Sequence, residues 1–243
     1  MGTIVCNPPE LGAKDPLNWG IMTEHLAIDA ASVLWSVGES EREAALAARP
    51  LLALLHGRGS NEQDLFSLVP MLPRHSVVAS VRAPLTLASG SYSWFPVGVP
   101  GLPSVEAGDS AVRALLDWLD SLPPTVAIGL IGFSQGGAMV IHALRHAPDR
   151  FSAIVNLAGF VISGDQPTDL ALQTRRPPVF WGRDVEDPMI PADAIERTTA
   201  WLPGHSTLTA RLYPSVGHSI SREEIDDVDE FLTLHIPLIR EER

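Results

Sequence analysis

At 243 residues, with 45% hydrophobic and 19% charged side chains, the chain is long enough to bury a sizeable core and too apolar to be disordered beyond its ends. Its 29 acidic and 17 basic residues leave a net charge of −12, which disfavours nucleic acid and anionic membrane surfaces as partners. A lone cysteine, Cys6, excludes an internal disulfide, and no apolar run approaches the roughly 18 residues of a spanning helix.

In chain order, the first 25 or so residues carry prolines and little periodicity and read as an irregular arm. They lack a basic region followed by an apolar core, so nothing reads as a secretion signal and a cytoplasmic location is expected. Short runs rich in Val, Ile and Leu follow as candidate strands: one within 28–38 at most, then PLLALLH (50–56), HSVVASVRA (75–83), TVAIGLIGF (125–133), FSAIVNLAG (151–159), PPVFWG (177–182) and TLTARLYP (207–214). Longer segments of helical period separate them. Between 105 and 121, Val112, Leu115, Leu116 and Leu119 make one apolar stripe that Pro123-Pro124 closes. Ser60 with Gln63, and Ser221 with Glu224, resemble capping boxes at helix starts. Continuous apolar strands alternating with helices predict an α/β fold: a mostly parallel sheet buried on both faces, joined by right-handed crossovers. One domain is expected over 26–237, with 238–243 a solvated tail.

The segment Gly132-Phe133-Ser134-Gln135-Gly136 stands where the strand 125–133 hands over to a helix. In GxSxG at such a junction, the glycines permit the sharp turn that lifts the serine hydroxyl beyond the sheet edge. A Walker phosphate loop would need Lys followed by Ser or Thr, and neither is present. Serine is a weak nucleophile unless a histidine takes its proton and an acid orients that histidine. Among the downstream histidines, His142 and His146 are four apart, a metal-ligand spacing, but lack the HExxH glutamate and read as a partly solvated helical face pointing away from Ser134. His205 follows Pro203-Gly204 in an expected turn, and His235 ends the last helix. His218 lies between the last strand and the final helix, at the edge where Ser134 emerges, and is the expected base. The acid should follow the strand PPVFWG, where Asp184, Glu186 and Asp187 are all available. Oxyanion donors are expected from the amide of Gln135, after the serine, and the amide of Arg58 in His56-Gly57-Arg58-Gly59. The segment 82–104, with Tyr92, Trp94 and Phe95, is too short for a lid domain. Its Trp94 and Phe95 are candidate walls of an acyl pocket, with packing into the core as the alternative.

In this order LHGRGSNEQDL, VRAPL, YSWFP, GFSQGGAMV, DPMIP and GHSIS resemble the phospholipase/carboxylesterase family of α/β hydrolases, over roughly residues 26–237. The resemblance implies a compact α/β-hydrolase fold without a large lid, with Ser134, Asp187 and His218 as triad and Arg58 and Gln135 as oxyanion donors. The stretch from Gly182 to Asp187 is longer than the family's pattern, which keeps Asp184 as an alternative acid. The expected protein is a monomeric or homodimeric serine esterase acting on small-molecule esters, with no metal and no organic cofactor. A catalytically silent binding protein, or a cofactor-free perhydrolase or lyase, are the alternatives on this fold.

Overall fold

The computed structural model describes residues 25–96 and 98–236. The expected arm, His25 apart, and the tail lie outside these residues, as does Cys6. Nine strands and seven α-helices follow one another along the described residues. They are β1 (Leu34–Trp35), α1 (Arg42–Ala48), β2 (Leu51–Leu55), α2 (Glu62–Phe66), β3 (Val77–Val81), β4 (Leu85–Ala88), β5 (Ser91–Ser93), α3 (Val105–Asp120), β6 (Ile128–Phe133), α4 (Gln135–His146), β7 (Ala153–Leu157), α5 (Asp169–Arg175), β8 (Pro178–Arg183), α6 (Ala192–His205), β9 (Thr207–Leu212) and α7 (Arg222–His235).

The main sheet has the order β1-β3-β2-β6-β7-β8-β9, parallel throughout except for the antiparallel edge pair β1–β3. The apolar runs behave as double-sided strands. In β2, Leu51, Ala53 and Leu55 join the core under α3 and α4, while Leu52 and Leu54 join the core under α2 and α7. Each such leucine, fully buried, contributes roughly 1.5–3 kcal/mol over its exposed state. The parallel order puts the carboxyl ends of β2, β6 and β8 at one edge, where an open α/β sheet carries its site.

Several local expectations change. Only Leu34–Trp35 of the first candidate run forms a strand. Segment 82–104 contains a small antiparallel hairpin of β4 and β5, not just irregular loop. Helix α2 starts one residue later than the Ser60 box implies: Asn61 caps it by accepting from Gln63 N, while the Ser60 hydroxyl donates to Asp64. Ser221 does cap α7, accepting from Glu224 N. Pro203-Gly204 is not a turn but lies in the last turn of α6. There His205 stacks on Trp201 at 4.0 Å and Arg176 donates to the carbonyls of Pro203 and Ser206, which holds the segment helical.

Candidate active site

Ser134 sits between β6 and α4 at φ 55°, ψ −114°, a conformation that side chains rarely adopt. Steric necessity explains its neighbours. A Cβ on Gly132 would lie 2.1 Å from the carbonyl oxygen of Gly136, and one on Gly136 would lie 2.0 Å from that of Leu55. Ser134 N donates to Leu157 O on β7, and Ser134 O accepts from Ala138 N, so the turn is tied to the sheet and to the helix it opens.

The loop after β9 brings His218 over this turn. Its Nε2 is 2.8 Å from Ser134 Oγ, and its Nδ1 is 2.8 Å from Asp187 Oδ2. The ring packs on Phe133 at 4.9 Å between centroids. The Asp187 side chain is 1% exposed, and its second oxygen accepts from the amides of Met189 and Ile190. Asp184 does not meet the histidine. It accepts from the amides of Glu186, Val216 and Gly217, tying the loop after β8 to the one that carries His218. Those N–H groups, Glu186 first, hold its carboxyl below the usual range against the opposing effect of burial. Glu186 is exposed.

Opposite His218, the backbone of Gly57 and Arg58 and the first turn of α4 border the same pocket. Gln135 is the first residue of α4, where backbone N–H groups have no partner within the helix. Its buried side chain does separate work. Oε1 accepts from Trp94 N and Ser93 Oγ, and Nε2 donates to Phe95 O, so Gln135 straps the end of β5 to the elbow. His56 is fully buried and its pKa is lowered by desolvation. As a neutral ring it donates from Nδ1 to Gly57 O and accepts at Nε2 from Ala83 N, which sets the course of the Arg58 loop. The sequence signal for these two supports was thin: a polar residue closing an apolar strand, and an amide inside the GxSxG motif.

The two aromatic candidates separate. Phe95 lines the pocket. Trp94 does not: it is fully buried in the core, and its indole Nε1 donates to His56 O at 2.9 Å. The structure therefore moves Trp94 from the pocket wall to the packing beneath it. The pocket encloses about 710 Å³, and its apolar wall comes from Leu87, Phe95, Val99, Phe160, Met189 and Ile190. The pair His142 and His146 is also corrected. His142 is fully buried rather than partly solvated, and both rings engage Asp109 of α3. Burial pushes His142 down to about 4, against the pull of Asp109.

A model of the phospholipase/carboxylesterase family matches residues 40–236. A probable carboxylesterase of Oryza sativa subsp. japonica is 25% identical over 219 residues, 82% of each chain. An acyl-protein thioesterase 1 of Gibberella zeae is 31% identical over 120 residues, so the match spans 48% of this chain and 50% of that protein. Among solved structures, the Bacillus cereus carboxylesterase superposes with a TM-score of 0.70 at 23% identity, covering 84% of this chain and 94% of that one. A carboxylesterase of Mesorhizobium loti gives 0.65 at 19%, covering 79% and 91%. These two likenesses speak for the fold. The family match across the sheet and its helices is decisive: this chain belongs to the phospholipase/carboxylesterase family of α/β hydrolases.

Proposed function

We propose that the protein hydrolyses carboxylic esters, and thioesters of similar size, through an acyl-enzyme on Ser134. The observation that carries this reading is the unbroken hydrogen-bond chain from Ser134 Oγ through His218 to Asp187, with 2.8 Å at each link. His218 Nε2 takes the hydroxyl proton as Oγ attacks the carbonyl carbon, and Asp187 stabilises the imidazolium through Nδ1–H. The developing oxyanion is bound by the amides of Gln135 and Arg58. Collapse expels the alcohol or thiol, which receives the proton from His218. Water then attacks the acyl-enzyme by the same route and frees the carboxylic acid. The names of the plant and fungal relatives, carboxylesterase and acyl-protein thioesterase, support both leaving-group classes. The apolar wall suits an acyl chain, and the short 82–104 segment in place of a lid domain, with a net charge of −12, supports short to medium acyl esters of neutral alcohols. No helix among the described residues is long and apolar enough to cross a membrane.

A fluorophosphonate probe should label the wild type and leave Ser134→Ala unlabelled. Turnover of p-nitrophenyl and thioester substrates of about two to sixteen carbons should fall by on the order of 10⁴ or more in that variant. A wild type that neither labels nor turns over any of them would favour a silent binding protein. A maximum at the longest chains would overturn the acyl preference alone.

A further inference from the structure

Away from Ser134, the packing of α3 on α4 gathers polar groups that the proposed hydrolysis does not use. His142 and His146 stand one helical turn apart on α4, and their Nε2 atoms approach the same oxygen, Asp109 Oδ1, at 2.7 and 3.0 Å. Gln166 brings its side-chain amide to 3.2 Å from that oxygen. The three candidate ligand atoms lie within 4.8 Å of one another. His142 is seated against Gly108 of α3, where an added Cβ would stand 3.3 Å from its ring and 2.9 Å from Ile162 Cδ1. His142 is fully buried, but the side chains of Asp109 and His146 keep 24% and 21% exposure, which opens a path from solvent.

We propose that Asp109, His142 and His146 bind a divalent transition ion of the zinc class, with the Gln166 carboxamide oxygen or a water completing the shell. Two imidazoles and one carboxylate suit such an ion better than calcium or magnesium, which take oxygen ligands. Tetrahedral bonds of about 2.1 Å separate neighbouring ligand atoms by about 3.4 Å, so the contacts at 2.7 and 3.0 Å need to open by about 0.7 and 0.4 Å. Both rings bind neutral: the proton now on Nε2 passes to Nδ1, and the Nε2 lone pair goes to the metal. For His142 that proton meets no acceptor, because Nδ1 has no partner among the described residues. The site should thus be weaker than one with a complete outer shell by about 10- to 100-fold. His142 is eight residues along α4 from Ser134, about 12 Å, so the ion clamps α3, α4 and the segment carrying Gln166 without touching the reacting atoms.

Chelator-treated protein titrated with Co²⁺ should take up one ion per chain with an intense tetrahedral d–d band, and Zn²⁺ should displace it. Zinc at a hundredfold excess over its dissociation constant should raise Tm by about 5–10 °C while ester turnover stays unchanged. His146→Gln and Asp109→Asn, at part-exposed positions, should each weaken binding by about 30-fold or more. X-ray absorption of the wild-type zinc complex should show two imidazole nitrogens, a readout independent of how the variants fold. No uptake, a weak octahedral cobalt spectrum, a zinc shell without two imidazoles, or unchanged affinity in both variants would overturn the proposal.

Discussion

Asp184 and Asp187 stand on one loop, both with buried carboxylates, yet their partners give them different work. Asp187 spends one oxygen on His218 and the other on its own turn, whereas Asp184 accepts only backbone amides. Asp187→Asn should favour the wrong tautomer of His218 and lower kcat by on the order of 10⁴, with Tm nearly unchanged. Asp184→Asn removes a charge-assisted acceptor from three amides. It should cost about 1–3 kcal/mol in chemical denaturation while kcat changes by less than about tenfold. The opposite pattern, with kcat lost at Asp184 and stability lost at Asp187, would exchange their roles.

At the scale of elements, the elbow works because α4 approaches β2 and β6 at a separation only glycine allows. With Leu55 O 2.0 Å from the position of a Gly136 Cβ, α4 and β2 cannot both keep their places in Gly136→Ala. The substitution should cost more than about 3 kcal/mol, and the loss should appear in the denaturation midpoint before any assay of activity. Gly38→Ala is the control. Nothing lies within 4 Å of that Cβ and φ is −64°, so stability should stay within about 0.5 kcal/mol. A wild-type midpoint for Gly136→Ala would mean that the turn is looser than the packing requires. The strained φ of Ser134 belongs to this scale too: the β6–α4 junction imposes it, held by bonds to Leu157 O and from Ala138 N.

For the whole molecule, one buried acid couples stability to pH. Glu224, in the first turn of α7, packs against Gly182 at the end of β8, and its Oε1 has no partner among the described residues. Burial pushes its pKa up to about 8, with a further contribution from Asp227. A folded pKa above the unfolded one favours the native state while the group stays protonated. That contribution is complete below about 4.5 and is lost as pH rises through about 8. Stability should therefore decline between those limits. Glu224→Gln, which keeps the shape and removes the titration, should flatten the decline and gain on the order of 1–3 kcal/mol at pH 8.5 relative to wild type. Urea denaturation of both proteins from pH 5 to pH 9 measures the difference, and parallel curves would exonerate Glu224.

The sequence alone determined what depends on a few neighbouring residues. Apolar runs between helical segments specified a doubly covered parallel sheet, and glycines two before and two after Ser134 specified a tight strand-to-helix turn, because each follows from local sterics and periodicity. The position of His218 after the last strand followed from chain order on a parallel sheet. Only the tertiary structure separated Asp187 from Asp184, since one loop can aim either carboxylate and its anchors at Val216 and Gly217 come from another segment. Trp94 and Phe95 are adjacent aromatics with the same sequence signature. Which faces the cavity depends on the strap from Gln135, about 40 residues away. The histidine pair on α4 carried two of the three proposed ligands, and the third, Asp109, lies 33 residues before His142 on α3. Spacing along one helix reports what shares a face of that helix, and only helix packing decides what that face meets.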